Sequence, residues 1–193
     1  DSDIPKIADC YEILKKLDLA YSARILSAHR TPGRMVRQAS RLLKEGFVVS
    51  IAAAGGSAHL PGMTASETIR PVIGIPVRSS VFGGIDSLLS IIQMPEGVPT
   101  GSVGIGDAAN AALCAAKIAA LHRRETVDAL RSLFSLPPKE DLPAPSRHAV
   151  GLIDAAGDEH RDALSALGDQ LRSFGLEPIV YSVDDESTVE ALI

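Results

Sequence analysis

Phe47-Val-Val-Ser-Ile-Ala-Ala-Ala-Gly-Gly-Ser-Ala-His-Leu-Pro-Gly-Met63 passes from an apolar, β-branched segment into a small-residue turn and then into a short helical pattern. Phe47 to Ile51 has the composition of a strand covered on both faces, as in a parallel sheet. Gly55 and Gly56 let the backbone turn sharply and bring its N–H groups within reach of a ligand. Open α/β sheets bind ligands at the carboxyl ends of their strands, so Gly55-Gly-Ser-Ala-His59 is a candidate site loop. An ordinary β–α turn whose histidine caps the next helix has the same spacing.

Working outward, the same strand, polar turn, helix order recurs. Ala20 to Leu26 reads as a strand ending in Ser27-Ala-His-Arg-Thr-Pro32. Pro32 suits the first turn of a helix with Met35, Val36, Ala39, Leu42 and Leu43 on its buried face, ended by Gly46. Pro71 to Val77 is a further strand, followed by Ser79, Ser80, Gly83 and Gly84 and a helix around Leu88 to Ile92. Val103 to Ile105 makes another, turning at Gly106-Asp107 into an alanine-rich helix from Ala108 to Leu121. At the start, Asp3 is a natural N-cap for the stripe Ile4, Ile7, Ala8, Tyr11, Ile13, Leu14 and Leu17. The alternation predicts an α/β fold, a three-layer doubly wound parallel sheet. Right-handed crossovers open successive β–α turns on one edge, which gathers Ser2 and Asp3, Ser27 to Arg30, Gly55 to His59, Ser79 to Gly84 and Gly106 to Asn110 around one crevice. A helix beginning at Asp3 should follow a first strand, so that strand is expected upstream of this chain. An opening on Asp1 and a stop at Ile193, where a helical pattern begins, suggest a chain cut at both ends.

Residues 1–135 thus form one domain, closing with an amphipathic stretch from Thr126 to Phe134. Residues 136–147, with Pro137-Pro-Lys-Glu-Asp-Leu-Pro-Ala-Pro145, read as a proline-rich charged linker. Residues 148–193 restart the pattern with a strand from Ala149 to Ile153, a helix from Asp158 to Phe174 and a strand from Leu176 to Val183. Leu171-Arg-Ser-Phe-Gly-Leu176 echoes Leu14-Lys-Lys-Leu-Asp-Leu19, the mark of an internal repeat.

Composition narrows the function classes. In 193 residues, 46% are hydrophobic but only 4% aromatic, which points to an Ala/Val/Ile/Leu core. A formal net charge of -5 offers no basic face for nucleic acid. Cys10 and Cys114 have no metal-ligand spacing and read as two buried thiols of a reducing cytoplasm. No apolar run approaches the roughly 18 residues of a membrane span, so a cytoplasmic location without membrane contact is expected.

The candidate chemistry lies in two loop histidines, since imidazole both takes and gives a proton near neutrality. His29 is flanked by Ser27 and by Arg30, whose planar charged fork suits phosphate or carboxylate, with a surface ion pair as the plainer reading. Asp3 could serve only as a cap. His122, His148 and His160 lie on a helix end, beside the linker and on a helix surface, and receive no role. Neither a metal-ligand pattern nor a P-loop is present.

Ser27-Ala-His-Arg-Thr-Pro32, Gly55-Gly-Ser-Ala-His-Leu-Pro-Gly-Met63, Asp86-Ser-Leu-Leu-Ser-Ile-Ile-Gln-Met-Pro-Glu-Gly-Val-Pro99 and Ala109-Asn-Ala-Ala-Leu113 together resemble the PurE family of purine biosynthesis, from the first residue to about Phe134. The resemblance implies a flavodoxin-like fold, a homo-oligomer that is an octamer in the family, and neither a metal nor an organic cofactor. It implies conversion of N5-carboxyaminoimidazole ribonucleotide to 4-carboxy-5-aminoimidazole ribonucleotide, by release of carbon dioxide and recapture at a ring carbon. By position, His29 corresponds to the family's proton shuttle. Arg30 and Asp3 correspond to contacts with the phosphoribosyl part, with Ser2 beside Asp3 and with Ser27 and Ala28 lining the same loop. His59, Gly55 and Gly56 correspond to the loop that closes over the base and holds the carboxylate. The ring carbon that takes up carbon dioxide still carries a proton, so one base is the minimum equipment. A closed pocket would keep carbon dioxide for recapture.

Two features depart from the family pattern: the Gly-Ser expected before Ser2-Asp3 is absent, and the Gly106-Asp-Ala-Ala-Asn110 turn is about two residues short. Two alternatives stand beside the mutase: the related carboxylase, which uses aminoimidazole ribonucleotide and carbon dioxide directly, and a non-catalytic nucleotide-binding or assembly subunit. In the second unit, Ser182-Val-Asp-Asp185 stands where the first has Ser27-Ala-His-Arg30, which marks that unit as a degenerate copy with an assembly role.

Overall fold

In the computed structural model, which describes residues 3–135, 149–154, 169, 172 and 177–182, the chain divides into two units, Asp1–Pro138 and Lys139–Ile193. The first is built on strand β2 (Val72–Val77), buried at every residue. An unalternating apolar run of this kind is stable only with both faces covered. Strand β1 (Ser50–Gly55) pairs with β2 in parallel from Ser50↔Val72 to Gly55↔Val77, and β3 (Gly101–Ser102) pairs in parallel on its other side at Ile73 and Gly74. The strand order is β1-β2-β3.

On one face, Ile73 and Ile75 pack with Cys10 and Leu14 of helix α1 (Ala8–Lys16) and with Ala108, Ala111, Ala112 and Ala115 of α5 (Ala108–Ala120). On the other, α3 (Leu60–Ala65) and α4 (Ile85–Ile92) come so close that a Cβ on Gly74 would lie 2.5 Å from Ile91 Cγ2 and 3.4 Å from Pro61 Cβ. Helix, sheet, helix is the expected three-layer parallel α/β arrangement. Helix α6 (Arg124–Leu133) extends the first layer by packing Leu130 against Leu17 and Ala116. No described helix is long and apolar enough to cross a membrane.

Several expectations are corrected. Ala20 to Leu26 is not a strand but an irregular segment. It lines a cavity of about 730 Å³ together with β1 and with Leu14, Met35 and Ile75. No strand among the described residues pairs with the segment, so it has no ladder to join. β1 begins at Ser50 rather than Phe47 and runs on to Gly55. The strand read at Val103 to Ile105 lies two residues earlier, although Val103 N–H still donates to Gly74 O (3.3 Å) and Gly106 N–H to Pro76 O (2.8 Å). The Gly104 to Gly106 turn takes the chain out of the ladder there. Helix α2 (Pro32–Ala39) stops well before Gly46. The Ser40 hydroxyl donates to Val36 O at 2.8 Å, a side-chain bond that competes with helix continuation. Asp3 does not cap with its side chain: a 3₁₀ turn, Ile4–Ile7, precedes α1, and the Asp3 carboxylate pairs with Lys6 at 3.2 Å. Of the two thiols only Cys10 is buried, and burial pushes its pKa up to about 11, whereas Cys114 is exposed on α5.

In the second unit β4 (Ala149–Asp154) pairs in parallel with β5 (Glu177–Ser182). Parallel neighbours need a crossover between them, in keeping with the strand, helix, strand order read there. The linker and the helix read from Asp158 to Phe174 lie outside the described residues, apart from Asp169 and Arg172, which are helical.

Gly84 is the sharpest backbone requirement. It precedes α4 at φ 105°, and a Cβ there would meet Ile105 Cγ2 at 2.5 Å and Arg78 Cα at 3.3 Å. Gly84→Ala should therefore cost about 1–3 kcal/mol in urea unfolding, while Gly55→Ala, whose Cβ would find only ordinary contacts from 3.5 Å outward, should change stability by less than about 0.5 kcal/mol. Equal midpoints for the two variants would contradict this assignment.

Candidate active site

His29 and His59, 30 residues apart in sequence, meet: His29 Nε2 and His59 Nδ1 are 2.8 Å apart. The rings stand edge to face at 87°, with centroids 4.9 Å apart. Of the two facing nitrogens, one must carry the proton and the other accept it, so the tautomers of the two rings are linked. His59 occupies the N-cap position of α3 but its side chain makes no cap bond. The plain helix-cap reading therefore fails, and the ring faces His29 instead. Both imidazoles are exposed, while the alanines that precede them, Ala28 and Ala58, are buried and anchor their loops.

The His29 loop is tied by Ser27 and Thr31. Arg30 N–H donates to Ser27 Oγ (3.0 Å), Ser27 N–H donates to Thr31 Oγ1 (3.1 Å), and Thr31 returns its N–H and its hydroxyl to Ser27 O (3.0 and 3.2 Å). Ser27 thus builds the turn that presents His29. Arg30 is exposed and enters no ion pair among the described residues, so the surface-pair reading finds no support. Ser2 lies outside the described residues.

In the second loop the work is divided between the glycines. Gly55 is still the last residue of β1, opposite Val77, and the reversal falls on Gly56 at φ 67°. The Gly56 N–H is turned inward to Ser87 Oγ at 2.8 Å, so this amide is already engaged. The amides of Ala58 and His59 are engaged too, on Gly56 O and Ser57 O at 2.8 Å each. Reading the sequence residue by residue did not single out the α4 groups behind this turn. Ser87 is fully buried and donates to Val77 O at 2.7 Å, and Asp86 accepts from the Ser79 hydroxyl at 2.7 Å. An Asp-Ser pair in the first turn of a helix that follows a Gly-Gly turn was the available signal.

Asp107 caps α5 by accepting from Asn110 N–H (3.1 Å), and its other oxygen takes the Asn110 side-chain amide (2.7 Å), so the short Gly106 turn is a well-formed helix start. The 730 Å³ cavity includes Asp3, Leu60 and Thr64 in its wall but neither histidine. The histidine pair itself lies open at the surface, unlike the closed pocket expected. Among the described residues no group of three or more His, Cys, Asp or Glu could hold a metal ion.

The family model for AIR carboxylase matches residues 1–135. A relative from Saccharolobus solfataricus, named N5-carboxyaminoimidazole ribonucleotide mutase, is 48% identical over 141 residues, which is 73% of this chain and 89% of the relative. A Thermotoga maritima protein of the same name is 52% identical over 118 residues, 61% of this chain and 69% of that one. A Candida glabrata protein named phosphoribosylaminoimidazole carboxylase is 42% identical over 142 residues, 74% of this chain but only 25% of that longer protein. Among solved structures, PurE of Treponema denticola superposes with a TM-score of 0.62 at 30% identity, over 70% of this chain and 84% of that one. The parallel three-layer sheet is accordingly flavodoxin-like, and the chain belongs to the AIR carboxylase (PurE) family.

Proposed function

We propose that the chain is an N5-carboxyaminoimidazole ribonucleotide mutase of the cytoplasm, with His29 as its proton shuttle and His59 as the shuttle's partner. The observation that carries this reading is the 2.8 Å contact between the two imidazoles, one in the loop ahead of α2 and one in the turn between β1 and α3, and the names of the relatives from Saccharolobus and Thermotoga support the substrate. The chemistry needs one proton moved, with none gained or lost overall. When the N5–carboxyl bond breaks, carbon dioxide departs and the exocyclic nitrogen takes a proton. When the ring carbon captures carbon dioxide, its own proton leaves and aromaticity returns. One imidazole can give the first proton and take the second. A hydrogen-bonded second imidazole fixes which nitrogen of the first is protonated and can share the proton taken from the ring carbon until the next turnover begins. Arg30 supplies the charged fork for the phosphate, with Asp3 and Ser2 on the phosphoribosyl side. Gly55, Gly56 and Ala28 form the small-residue walls beside the base.

We place the enzyme in a homo-oligomer. Ile85, Leu89 and Ile92 form one exposed stripe on α4, continued by exposed Val81 and Phe82 in the preceding loop. A contiguous apolar face of this kind marks a protein contact. A neighbouring copy laid there would also help close a site that is open in one chain. Residues 148–193 are read as a degenerate copy tied on by the 136–147 linker, a reading supported by the parallel β4–β5 pair and by Asp184 and Asp185 at the places of His29 and Arg30.

Purified protein given N5-carboxyaminoimidazole ribonucleotide should form the 4-carboxy product, and should do so far faster than from aminoimidazole ribonucleotide with bicarbonate. The reverse preference would establish the carboxylase, and no turnover of either a binding subunit. His29→Asn should keep the far-UV circular dichroism of the parent and lose turnover. Arg30→Ala should weaken substrate binding by about ten- to a hundredfold, the equivalent of a charge-assisted hydrogen bond of about 1.5–3 kcal/mol. Normal rates in the first variant or an unchanged titration in the second would refute the respective role. In light scattering, Phe82→Glu with Leu89→Glu should reduce the assembly. Deletion after Pro145 should alter assembly or stability while leaving turnover in place. Unaltered mass in the double variant, or loss of turnover in a deleted protein that assembles normally, would overturn these two readings.

A further inference from the structure

Beyond Gly55↔Val77 the two central strands part, β1 into the Gly56 turn and β2 toward Arg78. The next rung of the ladder is supplied by a side chain. The Ser87 hydroxyl accepts the Gly56 N–H at 2.8 Å and donates its own proton to Val77 O at 2.7 Å. One oxygen thus bridges both strand ends with both of its bonds well formed, and the residue is fully buried. One helical turn further along, Ser90 Oγ lies 2.7 Å from Asp86 O and 3.4 Å from Gly56 O, so its proton is directed chiefly at the helix and only weakly at the turn. Gly56 therefore has its N–H held firmly and its carbonyl touched from the same face of α4. It is also the residue at φ 67° that sets the direction of the chain toward His59, three residues on.

From this we infer that Ser87 is a positioning residue for the reaction: it holds the Gly56 turn, and through it sets the distance between His59 and His29. The inference rests on the mutase reading for its kinetic readout but not for its geometric one. Ser87 reaches no substrate, since it is buried behind the turn. Its loss would act by letting the turn relax, and a displacement of about 1 Å in a catalytic group can cost on the order of a hundredfold in rate. Binding of the phosphoribosyl part, assigned to Arg30 on the other loop, would be spared.

The test compares Ser87→Ala and Ser87→Thr with the parent in the full chain, by steady-state kinetics on N5-carboxyaminoimidazole ribonucleotide normalised to folded protein and by crystal structures of all three. Ser87→Ala should lower kcat about ten- to a hundredfold with KM within about threefold of the parent. Its His29 Nε2 to His59 Nδ1 distance should open beyond hydrogen-bonding range, about 3.5 Å. Ser87→Thr, which keeps the hydroxyl, should restore both kcat and the contact. An Ala variant with parent kcat, or one that keeps the two rings at 2.8 Å, would overturn the inference, as would a Thr variant that keeps the contact but stays as slow as Ala. If the parent turns nothing over, the mutase reading fails while the structures still decide whether Ser87 sets the histidine contact.

Discussion

The parallel pairing of β1 with β2, carried through to Gly55↔Val77 and then broken by a left-handed glycine, is the constraint on which the site depends. Backbone hydrogen bonds fix the register of the strand ends, and a buried backbone group left without a partner is costly. The chain therefore has little freedom at the point where it leaves the sheet. Gly56 turns it, Ser87 satisfies the amide that the turn strands, and three residues later His59 faces a histidine from the neighbouring loop. The precision of that meeting comes from the sheet and from α4, because the histidines themselves are exposed and packed by little else.

The layers around the sheet serve the same end. β2 is apolar throughout because α1 and α5 cover one face and α3 and α4 the other. The alanines of α5 and Gly74 of β2 are small for the same reason: helices that lie close to a sheet leave no room for longer side chains. Of the covering helices, α3 follows directly on His59 and α4 carries Ser87, so the packing that stabilises the core also orients the loop.

Much of this was legible in the sequence, and the failures have physical causes. The parallel three-layer fold followed from alternating strand and helix patterns, and β2 was found to within one residue because its apolar run is bounded by Arg70-Pro71 and Arg78. Ala20 to Leu26 has strand composition but is not a strand, because strand formation depends on a neighbour that local composition does not reveal. Asp3 looked like a cap, but the chain opens with a 3₁₀ turn and its carboxylate pairs with Lys6. For the site, His29 and His59 were singled out separately, by loop position. Their contact was not, because a 30-residue separation is closed only by the tertiary packing of the two loops. Ser87 escaped for a related reason: the Asp86-Ser87 pair marks no more than a helix start, and the role of the serine arises only from the strand ends that it bridges.

The chemistry that this arrangement supports is an intramolecular one in outcome: the carboxyl carbon that leaves the exocyclic nitrogen is the one that arrives at the ring carbon. On the reading proposed above, an imidazole held by a second imidazole moves the one proton that the exchange requires. The most direct measurement follows the carbon. N5-carboxyaminoimidazole ribonucleotide labelled with 13C in its carboxyl group, turned over by the purified protein in excess unlabelled bicarbonate, should yield 4-carboxy product that retains the label in its first turnovers. Product carrying mostly unlabelled carbon would show that the protein draws carbon dioxide from solution, and would contradict the mutase account.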